Sequence, residues 1–180
     1  MRTSRLLRGA LVVIIVAAGL IGVALFVISR DSSTFSVASG PGQLYPDQGD
    51  RHLAPGTRRR SFVFASSPPT SGPHVPVLPT HDAVPLDDDQ LLEALELGDV
   101  VLLYGDRVRR PSLAALAAGT AGPFSRSLVA AGQAVVLDFH PGTAGIIATA
   151  WRHLLRVGDA ADPRLRAFIE FWLGRGARGG

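Results

Sequence analysis

The sequence predicts an α+β domain, a mixed β-sheet with helices packed on it, carried behind an N-terminal transmembrane helix. Three observations predict this. An uncharged, mainly apolar run extends from Gly9 to Ser29, about the length that crosses a bilayer as a helix. Farther on, continuous apolar runs such as Val100–Tyr104 alternate with stretches of helical period, the pattern of strands interleaved with helices. The last helical stretch starts at Asp162-Pro163 and places Leu165, Phe168, Ile169 and Trp172 on one face, so it must pack on a partner layer.

Arg2, Arg5 and Arg8 precede the apolar run and Arg30 closes it. That asymmetry puts the N-terminus in the cytoplasm and everything after Arg30 outside, in a single pass of the cell membrane. A cleaved signal would have a shorter apolar region and small residues at its cleavage site. Ala24-Leu25-Phe26 and Ile28-Ser29-Arg30 fit that poorly and Val37-Ala38-Ser39 comes late, so an uncleaved anchor is expected. There is no cysteine, which excludes lipid attachment, disulfides and thiol redox chemistry. Residues 1–30 are thus read as an arginine-rich tip and anchor, 31–42 as a small, polar linker, 43–174 as the globular domain and 175–180 as a flexible tail.

Within the domain, Ser61-Phe62-Val63-Phe64 reads as a short strand. A long connection follows to Val84. Asp87-Asp88-Asp89 then opens a helix through Leu97, since acids satisfy free N–H groups and suit the dipole there, and Gly98 ends it. A calcium site at the acidic run is not favoured, because further spaced oxygen ligands are missing. Val100–Tyr104 is a buried strand, and Pro111 begins a helix to about Ala118. Gly119-Thr120-Ala121-Gly122 reads as the turn after it. Ala134–Phe139 and Gly145–Trp151 follow as two hairpin strands around the turn at Pro141-Gly142, and the final helix closes the domain. The tail of this order is analogous to the second half of a thioredoxin-like fold.

The chain has formal charge +3 and pI ≈ 10.5, which suggests a nucleic-acid binder until the charge is located. All fifteen acids and fourteen of the eighteen arginines follow Arg30, so the exported part is near −1. The excess positive charge sits at the anchor, and no nucleic-acid partner is expected. Arg58-Arg59-Arg60 is the one compact basic run and reads as a solvated turn or strand edge.

Ser66-Ser67-Pro68-Pro69-Thr70-Ser71-Gly72-Pro73-His74 is the most particular stretch. Prolines fix their own φ and push the preceding residue towards extended backbone, Gly72 adopts angles other residues resist, and the hydroxyls bind nearby backbone. The product is a stiff loop presenting His74, as a structural turn or as part of a site. The motif loop proper is Pro68, Pro69, Thr70, Ser71, Gly72 and Pro73.

Pro68-Pro69-Thr70-Ser71-Gly72-Pro73-His74 resembles the signature of a family of mostly bacterial membrane-anchored proteins, domain of unknown function 3105. Gly49–Gly56, with His52, resembles its histidine-containing lead-in. Leu95-Glu96-Leu97-Gly98 with Val100–Tyr104 resembles its helix-to-strand segment, and Thr149-Ala150-Trp151 and Phe168–Phe171 its closing pattern. The resemblance spans about Gln43 to Gly174 and brings no established activity. It implies further family histidines, four apart, at positions that here are Glu93 and Leu97, which makes this chain a divergent member lacking two of them. It implies a metal cluster of His52, His74 and Glu93, three ligands where a closed structural site has four, and therefore weak occupancy. Zn or Cu(II) are the candidate ions, since Cu(I) favours sulfur.

His81, His140 and His153 read as loop, turn and surface residues. Glu93 and Glu96 together read as a solvated helix face. Ser71 lies in no Gly-x-Ser-x-Gly elbow, a Walker-type phosphate loop needs a lysine the chain lacks, and no catalytic residue is assigned. Two functions remain: a non-catalytic extracytoplasmic domain that binds an envelope protein partner, or a metal-binding protein or metal-dependent enzyme with a partly degenerate histidine site.

Overall fold

The computed structural model describes residues 40–57 and 62–177. The apolar run from Gly9 to Ser29, most of the expected linker, Arg58–Arg60 and Ser61 lie outside the described residues. Among the described residues no helix is long and apolar enough to cross a membrane.

Five strands make one mixed sheet: β1 (Gln43–Leu44), β2 (Val100–Tyr104), β3 (Val135–Phe139), β4 (Ile146–Ala150) and β5 (His153–Val157), in the order β1-β5-β4-β2-β3. β2 and β3 run parallel and every other neighbouring pair is antiparallel. Parallel neighbours need a crossover. Here it passes through a 3-10 turn (Arg107–Arg109), α2 (Arg110–Ala121) and α3 (Arg126–Ala130). The remaining helices among the described residues are α1 (Asp88–Leu97) and α4 (Pro163–Trp172).

Both faces of the sheet are covered. Val100, Leu102 and Tyr104 of β2 join Leu137 of β3 beneath Leu113 of α2 and Phe168 of α4. Val101 and Leu103 point the other way, to Leu92 and Leu95 of α1 and Val129 of α3. This two-sided burial is why β2 reads as an unbroken apolar run rather than as an alternation. The four residues expected to bury the α4 face do so.

Several expectations are corrected. The strand at Ser61–Phe64 is absent over Phe62–Phe64, because a side chain substitutes for a neighbouring strand. The Gln48 amide donates to Val63 O at 2.9 Å and accepts from Ala65 N at 2.8 Å. Ala134–Phe139 and Gly145–Trp151 do not form a hairpin; β2 lies between them, and β4 instead pairs with β5. That hairpin turns at Trp151-Arg152 with Arg152 at φ +64°, without the Gly, Pro or Asn that would reveal a turn. Helix α2 continues through Gly119 to Ala121, with Thr120 Oγ1 bonded back to Leu116 O at 2.9 Å. His153 is buried and stacked on Trp172 at 3.8 Å, not surface-exposed. The expected linker ends early: Pro41 O accepts the Trp172 indole N–H at 2.7 Å. Residues 175–177 do not hang free either, since Ala177 N donates to Glu96 O at 2.9 Å.

Two aspartates are buried in the sheet layer. Asp99 accepts from Ala134 N at 2.7 Å, and its second oxygen has no partner among the described residues. Burial pushes its carboxyl up to about 8. Asp138, on β3, is likewise buried.

Candidate metal centre

The proline loop is fastened at several of its polar atoms. Ser71 Oγ accepts from Gln48 N at 3.0 Å and donates to Pro46 O at 3.3 Å. Thr70 O accepts from Arg152 N at 2.8 Å. The Ser67-Pro68 peptide is cis. Gly72 has φ +138°, and a Cβ there would sit 2.9 Å from the Phe64 ring, so glycine is required both by its angle and by its neighbour. The Ser71 hydroxyl is thus occupied in holding the loop.

The lead-in runs parallel to the end of this loop. Gly72 N bonds Gly49 O at 2.8 Å, His74 N bonds Arg51 O at 3.2 Å, and Leu53 N bonds His74 O at 2.8 Å. His52 and His74 are bridge partners in this ladder, and paired residues of a ladder project to the same side. Their rings meet edge to face, with centroids 5.2 Å apart. His74 is fully buried, while the His52 side chain is 46% exposed.

Helix α1 supplies the other half. Asp87 caps it in a capping box with Gln90, worth about 1 kcal/mol. Asp89 Oδ1 accepts from Val75 N at 2.9 Å, tying the helix to the residue after His74. The acidic run therefore serves the helix and the loop. Three residues apart, Glu93 and Glu96 share one face, and that face meets the histidines. The carbonyl of Glu96 is braced by Ala177 from the far end of the domain.

All four side chains converge. His74 Nε2 lies 3.2 Å from Glu93 Oε2 and 3.2 Å from Glu96 Oε2. His52 Nε2 lies 3.6 Å and 3.1 Å from the same two oxygens. One ligand atom from each residue fits within 4.8 Å of the others. A tetrahedral ion with bonds of about 2.0–2.1 Å separates its ligand atoms by about 3.3–3.4 Å, so the four cross-distances match four of the six edges of such a coordination shell, the His–His and Glu–Glu separations lying within 4.8 Å.

The tautomer of His74 sharpens this. Its Nδ1–H donates to Gly72 O at 2.9 Å, which leaves Nε2 facing two carboxylate oxygens. Lone pair against carboxylate is repulsive unless a proton or a metal ion lies between. A backbone carbonyl on the far ring nitrogen is also the usual way a metal-binding imidazole is oriented. The Glu93 and Glu96 side chains are only 11% and 7% exposed, and among the described residues no arginine pairs with either. With neutral imidazoles the cluster carries two negative charges, which a divalent ion balances. The donor set, two nitrogens and two oxygens, suits Zn or Cu(II).

Of the residues expected from the sequence, His52, His74 and Glu93 are brought together. Leu97 is 37% exposed and outside the cluster. Glu96 corrects the sequence reading: it is the fourth member, not half of a solvated face. The sequence carried no signal for this, because Asp89, Glu93 and Glu96 fall on one helical face with Leu91 and Leu95 opposite, the pattern of a solvated face. His81 is exposed beside Thr80, and His140 ends β3 with Nε2 at 3.0 Å from Asp138 Oδ1.

The family model described as protein of unknown function (DUF3105) matches residues 57–178. The match includes His74, Glu93 and Glu96 and begins after His52. No curated protein and no solved structure matches the chain.

Proposed function

The chain belongs to the DUF3105 family of proteins of unknown function, and from that premise we propose that it binds a divalent metal ion through His52, His74, Glu93 and Glu96. The observation that carries this is the convergence of four ligand atoms within 4.8 Å, with both carboxylates withdrawn from water. The metal-binding reading therefore stands ahead of a purely partner-binding one. Glu96 makes up the ligand number that Leu97 does not, so the site is read as four-coordinate and well occupied rather than weak. His74, Glu93 and Glu96 form its buried floor, and half-exposed His52 closes it on the solvent side. Zn(II) or Cu(II) would supply Lewis acidity there when bound; the chain's own residues position the ion and screen it from water.

The same reading places the domain outside the cell membrane, tethered by the apolar run from Gly9 to Ser29. Its support is the arginine distribution around that run. The metal claim is tested by elemental analysis of the full chain after equilibration with Zn(II) and gel filtration. About one ion per chain is expected, falling to background in His74→Ala; no retained metal in the unaltered protein would refute it.

A further inference from the structure

One row of side chains crosses four strands on the α1 side of the sheet. The register pairs Asp138 of β3 with Leu103 of β2, Leu103 with Ile147 of β4, and Ile147 with Arg156 of β5. Paired residues of a ladder project to the same side, and Leu103 and Ile147 pack in the cluster that contains Leu92 and Leu95 of α1. The row thus has a carboxylate at one end, two aliphatic side chains in the middle and a guanidinium at the other end. Three strand spacings, about 14 Å, separate the ends.

A cleft of about 420 Å³ lies along this row. All four residues of the row line it, Leu91 extends its apolar surface, and Pro68 and Pro69 form one wall. That volume is within the range of small-molecule sites, which combine apolar lining with few polar groups.

The charges along the cleft differ in what they leave unspent. Asp138 is 1% exposed, and its Oδ1 accepts from Leu86 N at 3.0 Å and lies 3.0 Å from His140 Nε2. Asp88, at the start of α1, is already engaged. Arg156 is exposed, and among the described residues no carboxylate pairs with it. Its Nη2 donates to Ser67 O at 2.6 Å, next to the proline wall. That bond holds the guanidinium at the cleft and leaves the other N–H donors of its fork unpartnered. A guanidinium already held in place loses little freedom on meeting a carboxylate, and its planar fork matches both oxygens.

We propose that this cleft is a second ligand site, for a small organic monocarboxylate whose anionic group meets Arg156 while its apolar body lies on Ile147, Leu103 and Leu91. A second anionic group at the far end of such a ligand would be carried towards Asp138, so one carboxylate is preferred to two. None of the four clustered residues lines the cleft, so this proposal and the metal reading stand or fall separately.

The test is titration of the full chain with phenylacetate, followed by methyl NMR of Leu103 and Ile147. EDTA is present so that no bound ion takes the carboxylate, and benzylamine is the probe of like ring and opposite charge. Saturable shifts of both residues' methyl signals are expected with phenylacetate and none with benzylamine. Arg156→Gln, at an exposed position, should weaken phenylacetate by about tenfold or more, the loss of a charge-assisted pair. Should that variant disturb the proline wall, Ala144→Trp, which fills the cleft from an exposed position on its rim, should abolish the shifts instead. Absence of saturable shifts with phenylacetate, equal binding of benzylamine, or unchanged phenylacetate affinity in either variant would overturn the proposal.

Discussion

Replacing Glu96→Gln should move stability in opposite directions with and without metal. Gln keeps the shape of the side chain and removes one charge. In the metal-free protein two carboxylate oxygens within 4.8 Å of one another repel across a largely water-free gap. At an effective dielectric near 20, two unit charges about 5 Å apart cost roughly 3 kcal/mol. The imidazoles relieve part of that, so the variant should gain about 1–3 kcal/mol when metal is chelated, a rise in Tm of several degrees for a domain of this size. With Zn(II) at about a hundred times its Kd, the unaltered protein gains about 2.7 kcal/mol by mass action, and the variant, missing a ligand, gains little. The melting order of the two proteins should therefore invert on adding Zn(II). Differential scanning calorimetry at pH 8, where protons compete least for the imidazoles, reads both states. If Glu96→Gln lowers Tm in EDTA, the four residues form a stabilising ion-pair network of charged histidines, and the argument from lone-pair repulsion fails.

The Asp99 carboxyl, at about 8 in the folded chain against an ordinary 3.8, makes folding bind a proton. Its stabilising contribution is fully present below about pH 4 and lost as pH rises through 8, with a slope up to about 1.4 kcal/mol per pH unit. Urea unfolding over that range should show a smaller loss in Asp99→Asn than in the unaltered protein; equal slopes would count against it. Gln48→Ala removes both bonds to the Val63–Ala65 backbone and should cost about 1–3 kcal/mol, measurable as a lower urea midpoint at constant m-value. Leu97→His adds an imidazole four residues from Glu93 and should tighten Zn(II) several-fold by competition with a chromophoric chelator; unchanged affinity would show that position 97 cannot reach the ion.

Local signals in this chain were legible where chemistry and burial agree. Asp87 with Gln90, Gly98, the continuous run of β2 and the face of α4 each state their structure through capping, a left-handed terminus, two-sided burial or helical period. What failed was non-local. Nothing in Ala134–Phe139 tells that β2, thirty-odd residues earlier, is its neighbour in place of the strand that follows. Phe62-Val63-Phe64 has strand composition, yet its backbone is satisfied by a glutamine side chain from the lead-in. The cluster shows the same division. His52 and His74 stood out through the loop that carries His74 and through resemblance. Glu96 was hidden because acids three apart on a helix usually face water, and only the fold shows this face turned to two imidazoles.

The central claim is tested most directly by X-ray absorption at the zinc K-edge of the full chain loaded with one equivalent of Zn(II). Four light-atom ligands at about 2.0–2.1 Å are predicted, with the outer-shell scattering of two imidazoles that disappears in part in His52→Ala and further in His74→Ala. A shell of about six oxygens without imidazole scattering would mean that the ion is bound elsewhere on the surface and that His52, His74, Glu93 and Glu96 are not its ligands.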